Sequence, residues 1–63
     1  MTMKILSQHV YGTSAFLRIE IRGHIAEMTV YWRETGETYS ISIPQAPDAP
    51  TRQEVIDAYH KLF

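Results

Sequence analysis

The chain has 63 residues and no cysteine, with six Lys and Arg set against seven Asp and Glu. Disulfide staples and thiolate metal sites are therefore excluded, and the near balance of charge argues against a simple polyanion binder, which carries a basic excess. A chain this short has room for one domain, spanning 1–63, that buries only about 60% of the surface its unfolded form exposes.

No apolar run is long enough to span a bilayer, and Met1 to Tyr11 lacks the continuous apolar region of a signal peptide; an unexported, cytoplasmic protein is expected. Lys4 to Val10 reads as a first strand whose apolar residues change sides. Leu6 and Val10 share one parity, while Ile5, His9 and Tyr11 share the other. The pattern leaves its inward face open and suits an edge strand. Tyr11-Gly12-Thr13-Ser14 then supplies a turn into an antiparallel neighbour.

From Ala15 to Ile43, three segments carry apolar residues at every second position and are separated by two glycine turns. If Gly23 and His24 are the central residues of a type II′ turn, Arg22 lies opposite Ile25, and Ile21 with Ala26, Ile19 with Met28, Leu17 with Val30 and Ala15 with Trp32 share one face. Across Glu34-Thr35-Gly36-Glu37, with Gly36 left-handed and Arg33 opposite Thr38, the pairs Trp32 with Tyr39, Val30 with Ile41 and Met28 with Ile43 extend that face. A slip by one residue would bury Thr38, Ser40 and Ser42 instead.

Pro44 to Pro50 holds three prolines, which cannot continue a sheet, and reads as a stiff linker. Thr51-Arg52-Gln53-Glu54 matches a capping box and predicts a helix over about 52–62. Val55, Tyr59 and Leu62 fall on one side of it, widened by Ile56, Ala58 and Phe63. The expected fold is a small two-layer α+β domain: an antiparallel four-stranded sheet over about 4–43, in β-β-β-β-α order, with one C-terminal helix packed on one face.

If the helix covers the Leu17, Ile19, Met28, Val30 and Ile41 side, the opposite face is left for work. It presents Phe16, Arg18, Glu20, Glu27, Tyr31 and Arg33, with Arg22, Ile25 and the small hydroxyls of the fourth strand. The register above sets Phe16 opposite Tyr31, Tyr31 opposite Ser40, and Glu20 opposite Glu27. An aromatic pair flanked by arginines has the composition of an interaction hot spot. The same pair is also an ordinary way to stabilise a sheet, and two like charges in register ask for an offsetting cation.

His9, His24 and His60 lie on a strand, a turn and the helix without ligand spacing, so no metal or other cofactor is expected. His24 is explained as a turn residue, His60 as a favourable charge near a helix C-terminus, and Glu34 and Glu37 as solvated turn flanks. Asp57 and His60 are one helical turn apart, but no Ser or Cys nucleophile accompanies them, so no enzyme is expected. What remains is a non-enzymatic protein-binding module whose partner is a larger protein or ribonucleoprotein complex. Free-standing proteins of this size are frequent among phage and mobile-element products, which makes an inhibitor of a host defence complex, anti-CRISPR-like, the leading expectation. The competing one is single-stranded nucleic-acid binding, with Phe16 and Tyr31 stacking on bases and Arg18, Arg22 and Arg33 on phosphates. Glu20 and Glu27 weigh against it, and an unprotected edge strand allows a homodimer.

Overall fold

Alternating apolar residues build the sheet around which this chain folds. The structure, a computed structural model, describes residues 3–62. Strands β1 (Met3–Tyr11), β2 (Ser14–Ile21), β3 (His24–Arg33) and β4 (Gly36–Ser42) form one antiparallel sheet in the order β1-β2-β3-β4, followed by α1 (Arg52–Leu62). This is the four-stranded α+β fold expected from the residue pattern.

The inward face is the expected one. Ala15, Leu17, Ile19 and Ile21 of β2 and Ala26, Met28 and Val30 of β3 are buried together with Val55, Ile56, Ala58 and Tyr59 of α1. Each large aliphatic side chain removed from water contributes roughly 1.5–3 kcal/mol before the entropy of ordering it is counted. Leu62, expected in the helical stripe, is 44% exposed instead, and Phe63 lies outside the described residues.

The register differs from expectation in both hairpins, each time by two residues. Arg22 and Gly23, not Gly23 and His24, are the central residues of the β2–β3 turn, with φ of 52° and 81°, the double positive φ of a type I′ turn. Ile21 therefore pairs with His24, Ile19 with Ala26, Leu17 with Met28 and Ala15 with Val30. A two-residue slip keeps every side chain on its own face, so the core survives while the cross-strand neighbours all change. In the second hairpin Glu34 and Thr35 are the turn, Arg33 pairs with Gly36, Val30 with Tyr39 and Met28 with Ile41. Gly36 has φ of 127°, the positive value expected of it.

A bulge resolves the mixed parity of β1. Ile5 pairs with Ile19 but Ser7 pairs with Arg18, which leaves Leu6 without an opposite number. Met3 and Ile5 therefore face the core before the bulge, whereas Gln8 and Val10 take the inner side after it.

The helix begins as its capping box requires. Thr51 Oγ1 accepts from the Glu54 amide at 3.2 Å, and Glu54 Oε1 accepts from the Thr51 amide at 3.0 Å. The proline segment is more than a spacer, because it turns at Pro47-Asp48 with Ala49 N donating to Ala46 O at 3.2 Å, and Pro at the first central position suits that turn. An eleven-residue helix is about 16 Å long and the ten-residue β3 about 33 Å. The helix therefore cannot cover the sheet end to end, and on β1 Val10 stays 64% exposed on the inner side.

Candidate functional site

The outer face can be laid out row by row from the strand pairings. One row reads Tyr11, Ser14, Tyr31, Thr38; the next reads His9, Phe16, Thr29, Ser40; the third reads Ser7, Arg18, Glu27, Ser42; and Lys4, Glu20 and Ile25 form the fourth. Every sequence-predicted surface residue (Phe16, Arg18, Glu20, Glu27, Tyr31, Arg33) belongs to this face. Several of their expected pairings do not occur. Phe16 opposes Thr29 rather than Tyr31, Tyr31 opposes Ser14 and Thr38 rather than Ser40, and Glu20 does not oppose Glu27.

The corrected register removes the expected charge conflict. Glu27 lies opposite Arg18, and Glu20 sits between Lys4 and Ile25. Opposite charges in register are mildly stabilising where like charges would not be. The face thus divides into a charge-matched half near the β2–β3 turn and an aromatic half near the β1–β2 turn.

In the aromatic half, Tyr11 and Phe16 meet edge to face with ring centroids 6.2 Å apart, and His9 stacks on Tyr11 at 6.0 Å. Tyr11 is 59% exposed, Phe16 52% and Tyr31 39%. Tyr11 and Phe16 are in contact, Tyr31 lies in the row of Tyr11 beyond Ser14 and diagonal to Phe16, and the three open rings on one face form an apolar patch with a polar rim. Sequence reasoning missed His9 and Tyr11. The signal was present in the change of apolar parity between Ile5 and Val10, since a bulge placed at Leu6 turns His9 and Tyr11 outward beside Phe16.

Arg22 is absent from this face. As a turn residue it reaches the helix, where its guanidinium makes two bonds to Glu54, at 2.6 and 3.2 Å, and its Nε donates to Asp48 O at 3.3 Å. Next to it His24 Nε2 lies 2.8 Å from Asp48 Oδ1, so His24 is a strand residue tied to the linker rather than a turn residue. The Arg22 bonds and the Thr51 amide hold the Glu54 carboxyl down at about 2. The bond from His24 likewise holds Asp48 below its ordinary value. These contacts are available only in the observed register, with Arg22 in the turn. They hold Arg22 in a left-handed conformation that costs a non-glycine residue roughly 1–2 kcal/mol.

On the helix side, the Tyr39 hydroxyl donates to Glu37 Oε2 at 2.9 Å and lies 2.9 Å from His60 Nε2. Glu37 is therefore engaged with the Tyr39 hydroxyl rather than simply solvated. An ionised Glu37 only accepts, so the tyrosine proton points to it and His60 Nε2 is the donor to Tyr39. Desolvation, aided by Glu37, pushes the Tyr39 hydroxyl up to about 12. Burial also raises Tyr59, with a hydrogen bond to the Trp32 side chain acting in the other direction.

A groove of about 300 Å³ beside α1 is lined by Met3, Glu54, Asp57, Ala58, His60 and Lys61. Its lining supplies no hydroxyl or thiol nucleophile. Among the described residues, no three His, Asp or Glu side chains gather as a metal-binding group, and no helix is long and apolar enough to cross a membrane. No protein-family model matches the chain, and it has no match among curated proteins or solved structures.

Proposed function

We propose that this chain is a non-enzymatic protein-binding module that engages its partner through the outer face of the sheet. The observation that carries this reading is the exposed aromatic patch of Tyr11, Phe16 and Tyr31, edged by His9 and by the charge-matched row of Arg18 and Glu27. Aromatic side chains lose little rotamer freedom on docking and bury a large area, which is why they and arginine dominate binding hot spots. The area suffices: the chain exposes 4374 Å², and a standard interface takes about 800 Å² from each partner. A folded protein supplies both an apolar contact for the rings and opposite charges for Arg18 and Glu27, whereas a nucleic acid would bring phosphates against Glu27 and Glu20.

The finer reading is an inhibitor that occupies a working surface of a larger host complex in the cytoplasm, as anti-CRISPR proteins of phages do. Its support is the frequency of such small proteins among mobile-element products. Capture from host extract by the wild-type chain and by a Tyr11→Ser/Phe16→Ser variant tests the surface. The expected result is a partner held by the wild type and lost by a variant with an unchanged melting temperature. Equal recovery by both chains would remove the aromatic patch from the interface. Binding to single-stranded RNA or DNA that weakens steeply with salt would replace the reading with the nucleic-acid one.

A further inference from the structure

We infer that two copies of this chain join through β4, edge to edge across a two-fold axis, to make one eight-stranded sheet. Arg33 and Gly36 flank a two-residue turn and exchange both backbone bonds, and in an antiparallel ladder every second pair then does the same. Trp32 confirms the alternation, since its amide donates to Thr13 O at 2.8 Å, on the β2 side. The backbone N–H and C=O groups of Glu37, Tyr39 and Ile41 consequently point away from β3. Among the described residues no strand, loop or cap pairs with them.

Edge strands of monomeric proteins are commonly blunted by a bulge, a lysine or a proline. β1 has two of these, the bulge at Leu6 and Lys4. β4 reads Gly-Glu-Thr-Tyr-Ser-Ile-Ser, with no bulge, lysine or proline; its one charge, Glu37, is taken up by the Tyr39 hydroxyl of the same strand, and its seven residues are in unbroken register against β3. The contrast singles out β4 as the edge left open.

The sequence of β4 selects a second copy as its occupant. Tyr39 is the midpoint of Gly36–Ser42 and one of the residues whose backbone faces outward. A two-fold axis through it overlaps the whole strand and forms about six backbone hydrogen bonds. Tyr39 then faces the partner's Tyr39, Glu37 faces the partner's Ile41, and Thr38 faces the partner's Ser40. Hydroxyl meets hydroxyl on the outer face, and no like charges oppose each other. Moving the axis to Glu37 would set two carboxylates against each other and shorten the overlap. An edge pairing of this size is a weak, concentration-dependent association. Its geometry is independent of what the aromatic patch binds.

Engineered cysteines test the register directly, because the chain has none of its own. Thr38 and the partner's Ser40 form a non-hydrogen-bonded pair with Cα atoms about 4.5 Å apart, a separation that a disulfide spans. A mixture of Thr38→Cys and Ser40→Cys chains, with oxidised glutathione as oxidant, is expected to give at least tenfold more covalent dimer than either variant alone. A second pair of variants reads the same geometry by sedimentation velocity. Thr38→Lys/Ser40→Lys sets lysine against lysine and is expected to weaken the wild-type dimer at least tenfold. Thr38→Lys/Ser40→Glu sets lysine against glutamate and is expected to retain it. A wild-type chain that sediments as a monomer up to about 1 mM, a dimer indifferent to the charge pattern, or equal cross-linking of all three samples would each overturn the proposal.

Discussion

The two ends of the sheet use their polar and aromatic side chains differently. At the β2–β3 turn, Arg22, His24, Asp48 and Glu54 bind turn, linker and helix to one another. At the β1–β2 turn, the aromatic rings of Tyr11 and Phe16 touch each other and then water. Charge at the first end is satisfied within the fold, and substitutions there should change stability. Apolar surface at the second end is left uncovered, and substitutions there should change recognition.

The most drastic way to break this comparison is to remove the core that both ends rest on. Ile19→Ala, at a position fully enclosed between sheet and helix, is expected to cost about 2–5 kcal/mol. A domain of this length has only about 3–9 kcal/mol in total, so urea titration followed by circular dichroism should find the variant largely unfolded at low denaturant. A melting curve matching the wild type would contradict the packing described here.

A narrower test isolates the tied end. Thr51→Ala deletes one half of the capping box, an expected loss of about 1 kcal/mol, which corresponds to a melting temperature roughly 4–8 °C lower. The pH dependence sharpens the same point. Glu54 is held at about 2 against an ordinary 4.5, so its contribution to stability is complete above about 4.5 and is lost as pH falls towards 2. Acid melts of the wild type should decline through that window, and Glu54→Gln should flatten part of the decline. A variant with an unchanged acid profile would mean that the Arg22–Glu54 pair contributes nothing in solution.

Tyr39 supplies the opposite sign. Its hydroxyl is raised to about 12 from 10.0, so the stability it contributes is complete below pH 10 and is lost as pH rises through about 12. Alkaline melts should show this loss, and Tyr39→Phe should remove part of it, the remainder belonging to Tyr59, whose hydroxyl is raised as well. The smallest expected effect belongs to the free end: Tyr11→Ser/Phe16→Ser should shift stability by no more than about 1 kcal/mol. A larger loss would make the aromatic patch a structural element instead of a binding surface.

The sequence by itself determined which face of each central strand is buried, where the helix starts, and that one helix closes one side of a four-stranded sheet. Parity needs only the period of two, and the capping box spans only four residues. Neither depends on distant contacts. Register was decided elsewhere. Sliding a hairpin by two residues leaves the buried set intact, so hydrophobic pattern cannot distinguish the alternatives. In the β2–β3 hairpin the observed register is the one that brings Arg22 and His24 to Glu54 and Asp48, contacts that no local window contains. The same slip turned a presumed clash of Glu20 with Glu27 into the pairing of Arg18 with Glu27. The bulge at Leu6 brought His9 and Tyr11 beside Phe16. The surface assigned to recognition is thus made of individually legible residues, and their adjacency exists only once the strands are paired.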